Sequence, residues 1–424
     1  MQTNLADWIK DTPEGIEADA ILRKCVHCGF CLATCPTYQL TGDELDSPRG
    51  RIYLMKEMLE GNAVTAKTQF HLDRCLTCRA CETTCPSGVQ YGRLADIGRE
   101  VVEKKVARSF TDRLTRTVLK NTLPHTALFT AGLGVGRAVK GLLPDGIKKY
   151  LTSKREEGVW PQPVHARKML VLDGCVQPAM APSINHATAR VLDKLGISLI
   201  RADRAGCCGA IPHHLNDAHE AHAYIKRNID AWWPAIEAGA EAIVVTASGC
   251  GTMVAEYGHM LRADPVYAEK AAHVSGLYRD VSQVIEQERS TLLTLLARLK
   301  ANSGSLPVDA AVTKPKLAFH APCSLQHGLK IRGVVESLLR DAGFELTHVP
   351  DGHLCCGSAG TYSILQSELS QQLLANKVTA LESGNPDVVA TANIGCMAHI
   401  ESGLHSSSKT PILHWIELLD RRLP

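Results

Sequence analysis

The sequence predicts an α+β multidomain chain: an α-helical domain in the first hundred residues, then two repeated α/β domains built on parallel sheets. Three observations carry this. Two cysteine cassettes of identical spacing stand fifty positions apart near the N-terminus. Further along, a set of cysteine-bearing segments recurs after 146 to 148 residues. Between those cysteines, short Val- and Ile-rich runs alternate with helical patterns, as βαβ units require.

Domain 1 spans residues 1–100. It holds "CVHCGFCLATCP", Cys25 to Pro36, and "CLTCRACETTCP", Cys75 to Pro86. Between them "RIYLMKEMLEG" places Ile52, Met55 and Leu59 on one helical face and Gly61 at the stop. After the second cassette Leu94, Ile97 and Val101 mark another helix. Residues 101–165 read as a basic helical linker: Val101 to Arg155 holds twelve Lys or Arg against three Asp or Glu. Such a stretch suits an amphipathic surface touching anionic lipid or a partner subunit, or a solvated linker.

The repeated α/β domains are expected at 166–300 and 316–424. "KMLVLDGC" ending at Cys175 corresponds to "KLAFHAPC" ending at Cys323, "AGCCGA" to "HLCCGS", and "AIVVTASGC" ending at Cys250 to "DVVATANIGC" ending at Cys396. Both copies leave 31 residues between the first cysteine and the pair. Two of the three cysteine sites per copy fall just beyond an apolar run, the sheet edge where open α/β folds bind ligands. "ANSGSLPVDAAVTKPK", Ala301 to Lys316, reads as the linker between copies.

At 424 residues the chain has ample core, so its sixteen cysteines are not needed as staples. Lys plus Arg (46) nearly balance Asp plus Glu (44), which gives no basic field and no nucleic-acid partner. The N-terminus lacks a basic-then-apolar signal, and no run of eighteen uncharged apolar residues appears. The thiols are then expected in a reducing cytoplasm, engaged in metal or redox work.

Each cassette reads C-x2-C-x2-C-x3-C-P. Three cysteines two residues apart let a tight loop bring three sulfurs to one cube, while the fourth, in two-cluster ferredoxins, ligates the other cluster. Cys25, Cys28, Cys31 and Cys85 are thus expected to hold one 4Fe–4S cluster, and Cys75, Cys78, Cys81 and Cys35 the second. Structural zinc prefers two separated pairs. Arg49, Arg51 and Arg79 are candidates to raise cluster potentials. In the repeats, Cys175, Cys207, Cys208 and Cys250, and likewise Cys323, Cys355, Cys356 and Cys396, could hold a further iron–sulfur centre or another metal. They could also cycle between dithiol and disulfide, or be buried apolar residues. His320, His353 and His399 lie near the second set and are read as structural histidines.

The tandem cassettes followed by two "CCG" segments resemble the iron–sulfur subunits of membrane-associated flavin dehydrogenases and of heterodisulfide reductases. Longer strings, among them "CVHCGFCLATCPTYQLTGDELDSPRGRIYLMKEMLEGN", "RNIDAWWPAIEAGAEAI" and "DGHLCCGSAGTYSILQ", are similar to the iron–sulfur subunit family of bacterial glycolate oxidase, a glycolate dehydrogenase. The resemblance implies a two-cluster ferredoxin-like domain and two CCG cysteine-rich domains. It also implies flavin-containing glycolate oxidase subunits as partners, bearing the FAD, that oxidise glycolate and also D-lactate. A quinone-linked acceptor at the cytoplasmic face of the inner membrane, with peripheral membrane contact, completes the picture. Related subunits of anaerobic glycerol-3-phosphate dehydrogenase, lactate-utilisation complexes or thiol–disulfide enzymes are the alternatives. The CCG pattern of the family ends C-x-x-C, whereas this chain has Met253 and His399 at those positions, so the non-cubane cluster of the heterodisulfide reductases is not carried over. No catalytic residue is expected on this chain. "AGLGVG", Ala131 to Gly136, lacks the strand and the acidic residue of a dinucleotide site, and no C-x-x-C-H offers covalent haem.

Overall fold

The computed structural model describes residues 1–142, 155–302, 314–408 and 410–423. The expected linker therefore lies largely outside the described residues, as does the stretch from 143 to 154 of the basic segment. The N-terminal domain is helical. Helix α1 (Pro13–Lys24) is capped by Thr12, whose side chain accepts from the Gly15 N–H, and it delivers the chain to Cys25. Each cassette ends in a short helix that begins at or near its proline or third cysteine: α2 (Pro36–Thr41) after the first, α3 (Pro48–Leu59) beyond it, and α5 (Ala80–Thr84) inside the second, after α4 (Ala66–Asp73). Helix α6 (Tyr91–Lys105) closes the domain and runs past the boundary expected at residue 100. Ile52, Met55 and Leu59 of α3 are buried with Leu94, Ile97 and Val101 of α6, as the periodicity required.

Two further helices, α7 (Phe110–Thr122) and α8 (Thr126–Ala138), cross the basic segment. Ala131 to Gly136 lie inside α8, so that glycine-rich string is helix and not a phosphate loop.

The repeats form two four-stranded, wholly parallel sheets. The first orders its strands β2-β1-β3-β4, from β1 (Arg167–Val171), β2 (Ile197–Ile200), β3 (Ile243–Val245) and β4 (Tyr278–Asp280). The second repeats that order as β6-β5-β7-β8, from β5 (Lys316–His320), β6 (Glu345–Leu346), β7 (Val388–Thr391) and β8 (Ile412–His414). Register confirms the duplication: Leu170 pairs with Ile243 in the first sheet as Ala318, its counterpart, pairs with Val389 in the second. In each sheet the chain leaves the first strand toward one side and returns on the other. A crevice therefore opens at the carboxyl ends of β1 and β3, and again at those of β5 and β7.

One apolar core runs through both repeats, from Met169 and Val191 to Leu338 and Trp415. The helix Ser183–Lys194 of the first repeat packs on Trp415–Asp420 of the second, and Val281–Gln287 packs on Val334–Asp341. The two exchanges mirror each other. Val281–Gln287 and Trp415–Asp420 each open with a reciprocal capping box, at Asp280 and His414.

Candidate metal centres

The two cassettes wind their loops alike. His27 and Gly29 flank Cys28 with positive φ of 54° and 83°, and Thr77 and Arg79 flank Cys78 with 51° and 58°. Positive φ is costly for a β-branched threonine and an arginine, so packing must impose it. The proline after each fourth cysteine needs no N–H partner and, in the first cassette, opens α2.

The fold then sorts the cysteines into two neighbouring cavities. Cys25, Cys28, Cys31 and Cys85 line one, and Cys35, Cys75, Cys78 and Cys81 line the other. Cys81, Pro48 and Tyr91 stand in the wall between them, since all three face both. Thr84 Oγ1 donates to Thr34 Oγ1 at 3.3 Å, tying each cassette to the other just before its last cysteine.

The electrostatics differ between the cavities. Arg51 is buried, donating to the His71 carbonyl at 2.7 Å, to Thr37 Oγ1 at 3.1 Å and to Asp46 at 3.3 Å. Burial works against its charge, but Cys75, Tyr91, Cys35 and Asp46 outweigh that and hold it protonated. Arg99 reaches the same place from α6, donating to the Cys75 carbonyl at 2.5 Å. Burial pushes the Cys75 thiol up, yet Arg51, Arg99 and the Tyr91 hydroxyl 3.5 Å away bring it below the ordinary thiol range. Cys78 and Cys81 are pushed up by burial. Of the three candidate arginines, Arg51 faces the second cavity and Arg49 lines the first while pairing with Glu44 at 2.8 Å. Arg79 also borders the second cavity, but its guanidinium pairs with Glu256 of the first repeat at 3.1 Å. Its ion pair makes it an interdomain tie. Arg99 and Tyr91 were not legible as site residues, because an arginine in an apolar helical pattern reads as an outward-facing charge.

Each repeat assembles its own four thiols at the sheet crevice. In the first, hydrogen bonds join Cys175 to Cys207, Cys207 to Cys208 and Cys208 to Cys250. Donation from Cys175 and Cys208 lowers Cys207, at the expense of those two neighbours, which are raised. In the second, Cys323 Sγ lies 3.7 Å from Cys355 Sγ, and the contacts continue through Cys356 to Cys396. The glycine of each CCG is obligatory. Gly209 and Gly357 have φ of 90° and 89°, and a Cβ would stand 3.0 Å from the Ala221 carbonyl oxygen or 2.6 Å from that of Ser370.

His320 departs from its expected structural role. It is buried beside Cys356 and Cys396, yet its Nε2 has no hydrogen-bond partner. His399 meets Ser370 Oγ at 3.2 Å, and the His353 carbonyl accepts from His327 at 2.9 Å. The second repeat also abuts the second cassette: Leu76 and Cys78 pack with Cys323, Cys355 and Tyr362, whose hydroxyl donates to the Arg74 carbonyl at 3.2 Å.

Residues 21–89 match the family model described as a 4Fe-4S dicluster domain, and residues 169–255 and 317–401 each match the cysteine-rich domain. The chain is 51% identical over 424 residues to the glycolate oxidase iron-sulfur subunit of Escherichia coli (strain K12), covering 100% of this chain and 99% of that one. The chain belongs to the glycolate oxidase iron–sulfur subunit family. A probable glycolate oxidase iron-sulfur subunit of Bacillus subtilis (strain 168) is 30% identical over 432 residues, 94% of this chain and 93% of its own length. Lactate utilization protein A of Bacillus velezensis is 27% identical over 250 residues, 58% of this chain and 97% of that one. For a glycolate oxidase iron–sulfur subunit the cofactor class is the 4Fe–4S cluster, and the donor sets fit it. Each cavity is lined by four or more cysteines, enough thiolates to ligate one such cluster.

Proposed function

We propose that this chain is the electron-transferring subunit of a complex that oxidises glycolate, and D-lactate beside it, to the corresponding oxo acid, glyoxylate in the first case. FAD would reside on partner subunits of the glycolate oxidase complex, and a quinone-linked acceptor would lie downstream. The observation that carries this reading is the pair of cavities, each lined by at least four cysteines, that share one wall. Cys25, Cys28, Cys31 and Cys85 would hold one cluster, and Cys75, Cys78, Cys81 and Cys35 the other. When bound, a 4Fe–4S cluster supplies one-electron transfer and makes or breaks no substrate bond.

The chain's own residues set the conditions for that role. Cys25, Cys35 and Cys81 are buried, which keeps water from those sulfurs. Arg51 and Arg99 place positive charge beside Cys75, favouring its thiolate and, with it, added negative charge in the second cavity. Crossing Cys85 and Cys35 between the cassettes would hold both sites in one helical domain.

The position at the cytoplasmic face of the inner membrane is part of the proposal. Among the described residues no helix is long and apolar enough to cross a membrane. Helices α7 and α8 instead expose Phe110, Leu114, Val118, Leu128 and Val135 among basic residues, a face suited to peripheral contact.

The test is anaerobic purification followed by iron, acid-labile sulfide and zinc analysis, with EPR of the reduced chain. About eight cassette iron with matching sulfide and mutually coupled signals are expected. Cassettes filled mainly with zinc would sink the reading, as would glycolate oxidation by the isolated chain. Replacing Cys85 with Ser should weaken the cluster held by Cys25, Cys28 and Cys31, 54 to 60 residues away, and leave the other.

A further inference from the structure

The two repeats gather the same four cysteines but surround them differently. In the second, β5 ends on His320, which is 2% exposed and whose Nε2 lacks any hydrogen-bond partner. That imidazole and the sulfurs of Cys356 and Cys396 offer ligand atoms all within 4.8 Å of one another. A buried, unpaired ring nitrogen is a standing cost unless something occupies it. The three donors converge from a strand end, a loop and the first turn of the helix Ile394–Ser407, at the crevice between β5 and β7.

The sulfurs there also receive donors that suit thiolates. Asn393 Nδ2 donates to Cys396 Sγ at 3.4 Å, the Gly357 N–H to Cys355 Sγ at 3.5 Å, and the Ser358 N–H to Cys356. The ammonium of Lys377, in a side chain 3% exposed, lies within electrostatic reach of Cys356 and Cys355 and offsets their charge. The first repeat shares the glycine donor, with the Gly209 N–H meeting Cys207 Sγ at 3.5 Å, but not the imidazoles. By the 148-residue and 146-residue offsets, His320 corresponds to Leu172 and His399 to Met253. Both are buried apolar side chains.

We propose that the second repeat binds one thiophilic transition-metal ion, zinc or iron, through His320 Nε2, Cys356 Sγ and Cys396 Sγ, and that the first repeat binds none. Mixed imidazole–thiolate donors suit either ion, and three protein ligands leave a fourth position for solvent. The duplicated fold thus carries one metal-holding crevice and one metal-free thiol crevice. Nothing in this depends on the electron-relay reading of the cassettes.

The experiment uses the full chain purified anaerobically, with metal and sulfide content per polypeptide and X-ray absorption at the additional metal. Wild type is compared with His320→Leu, which installs the first repeat's residue, with His320→Cys, and with Cys250→Ser in the first repeat. One metal beyond the cassette iron is expected in wild type, with nitrogen and sulfur neighbours. His320→Leu should cut its occupancy at least tenfold while cassette iron stays. His320→Cys should keep the metal with sulfur in place of nitrogen, and it carries the test if the leucine variant does not fold. Cys250→Ser should change nothing. The proposal is overturned by absence of an additional metal in wild type, by unchanged occupancy in His320→Leu, by equal loss in Cys250→Ser, or by an additional centre of several irons with matching sulfide. Loss of cassette iron with the additional metal retained would sink the relay reading and leave this one standing.

Discussion

Arg51 shows how one side chain sets the character of a site. It is fully buried and its charge is shared between Asp46 and the sulfur-lined second cavity. Replacing it with Met leaves Asp46 to His71 and Arg74 alone, at 2.9 and 2.8 Å. Breaking such a buried pair costs about 3–5 kcal/mol, to be read by denaturant unfolding. The same variant should lower the potential of the second cassette's cluster by on the order of 60 mV, a tenfold change in a one-electron equilibrium, measured by redox titration with EPR. A potential unmoved by Arg51→Met would show that Arg51 is structural only.

His414 makes a pH-dependent contribution of a separate kind. It caps Trp415–Asp420, and although its Nε2 meets the Thr246 carbonyl at 3.0 Å, a contact that favours the charged ring, burial outweighs this and holds its pKa down to about 4. The unfolded value is about 6.5, so the unfolded chain takes up a proton that the folded chain refuses. Stability is therefore intact above the unfolded pKa and is lost as pH falls from about 6.5 toward 4, by at most about 3 kcal/mol. His414→Asn, which keeps a capping acceptor, should flatten the fall in melting temperature between pH 7 and pH 5.

At the scale of elements, each CCG segment is a loop pressed against a helix. The glycine is fixed by a left-handed φ and by the carbonyl of Ser370 or Ala221 that a side chain would strike. Gly357→Ala should destabilise by about 1–3 kcal/mol through backbone strain, with the clash adding to it, and Gly209→Ala by a similar amount, both measured as shifts in denaturant midpoint. By contrast Gly174→Ala should cost only its φ of 78°, since nothing lies within 4 Å of the added methyl. Strand and helix patterns of this kind were legible in the sequence because a period of two or of 3.6 is local information. The short apolar runs became β1, β3, β5 and β7, and the periodic stretches became α3 and α6.

At the scale of the whole molecule, the helical domain is pinned to both repeats. Glu256 accepts from Arg79 at 3.1 Å and Arg93 at 3.3 Å, Arg262 reaches Glu17 at 3.0 Å, and Thr83 meets His327 at 2.8 Å. Glu256→Gln removes two partly exposed pairs, each worth about 0.2–1 kcal/mol, and its effect should shrink in high salt. Limited proteolysis with and without salt reads this: faster cleavage between the N-terminal domain and the first repeat at low salt is expected, and salt-independent protection would refute it. The seating of Cys78 against Cys323 and Cys355 belongs to this scale as well, since it joins residues 245 and 277 positions apart.

The sequence by itself determined the two cassettes, the duplication and the parallel α/β class, because cysteine spacing and hydrophobic period are written in consecutive residues. Only the tertiary structure decided which charged groups face the sulfurs. Arg51 turns inward, Arg79 turns to Glu256, and Arg99 arrives from a helix whose pattern marked it as solvated. It likewise decided that His320 stands unpaired beside two thiols while Leu172 fills the matching place. Those outcomes depend on how elements distant in sequence pack and exclude water, and packing is a property of the assembled core that no local spacing encodes.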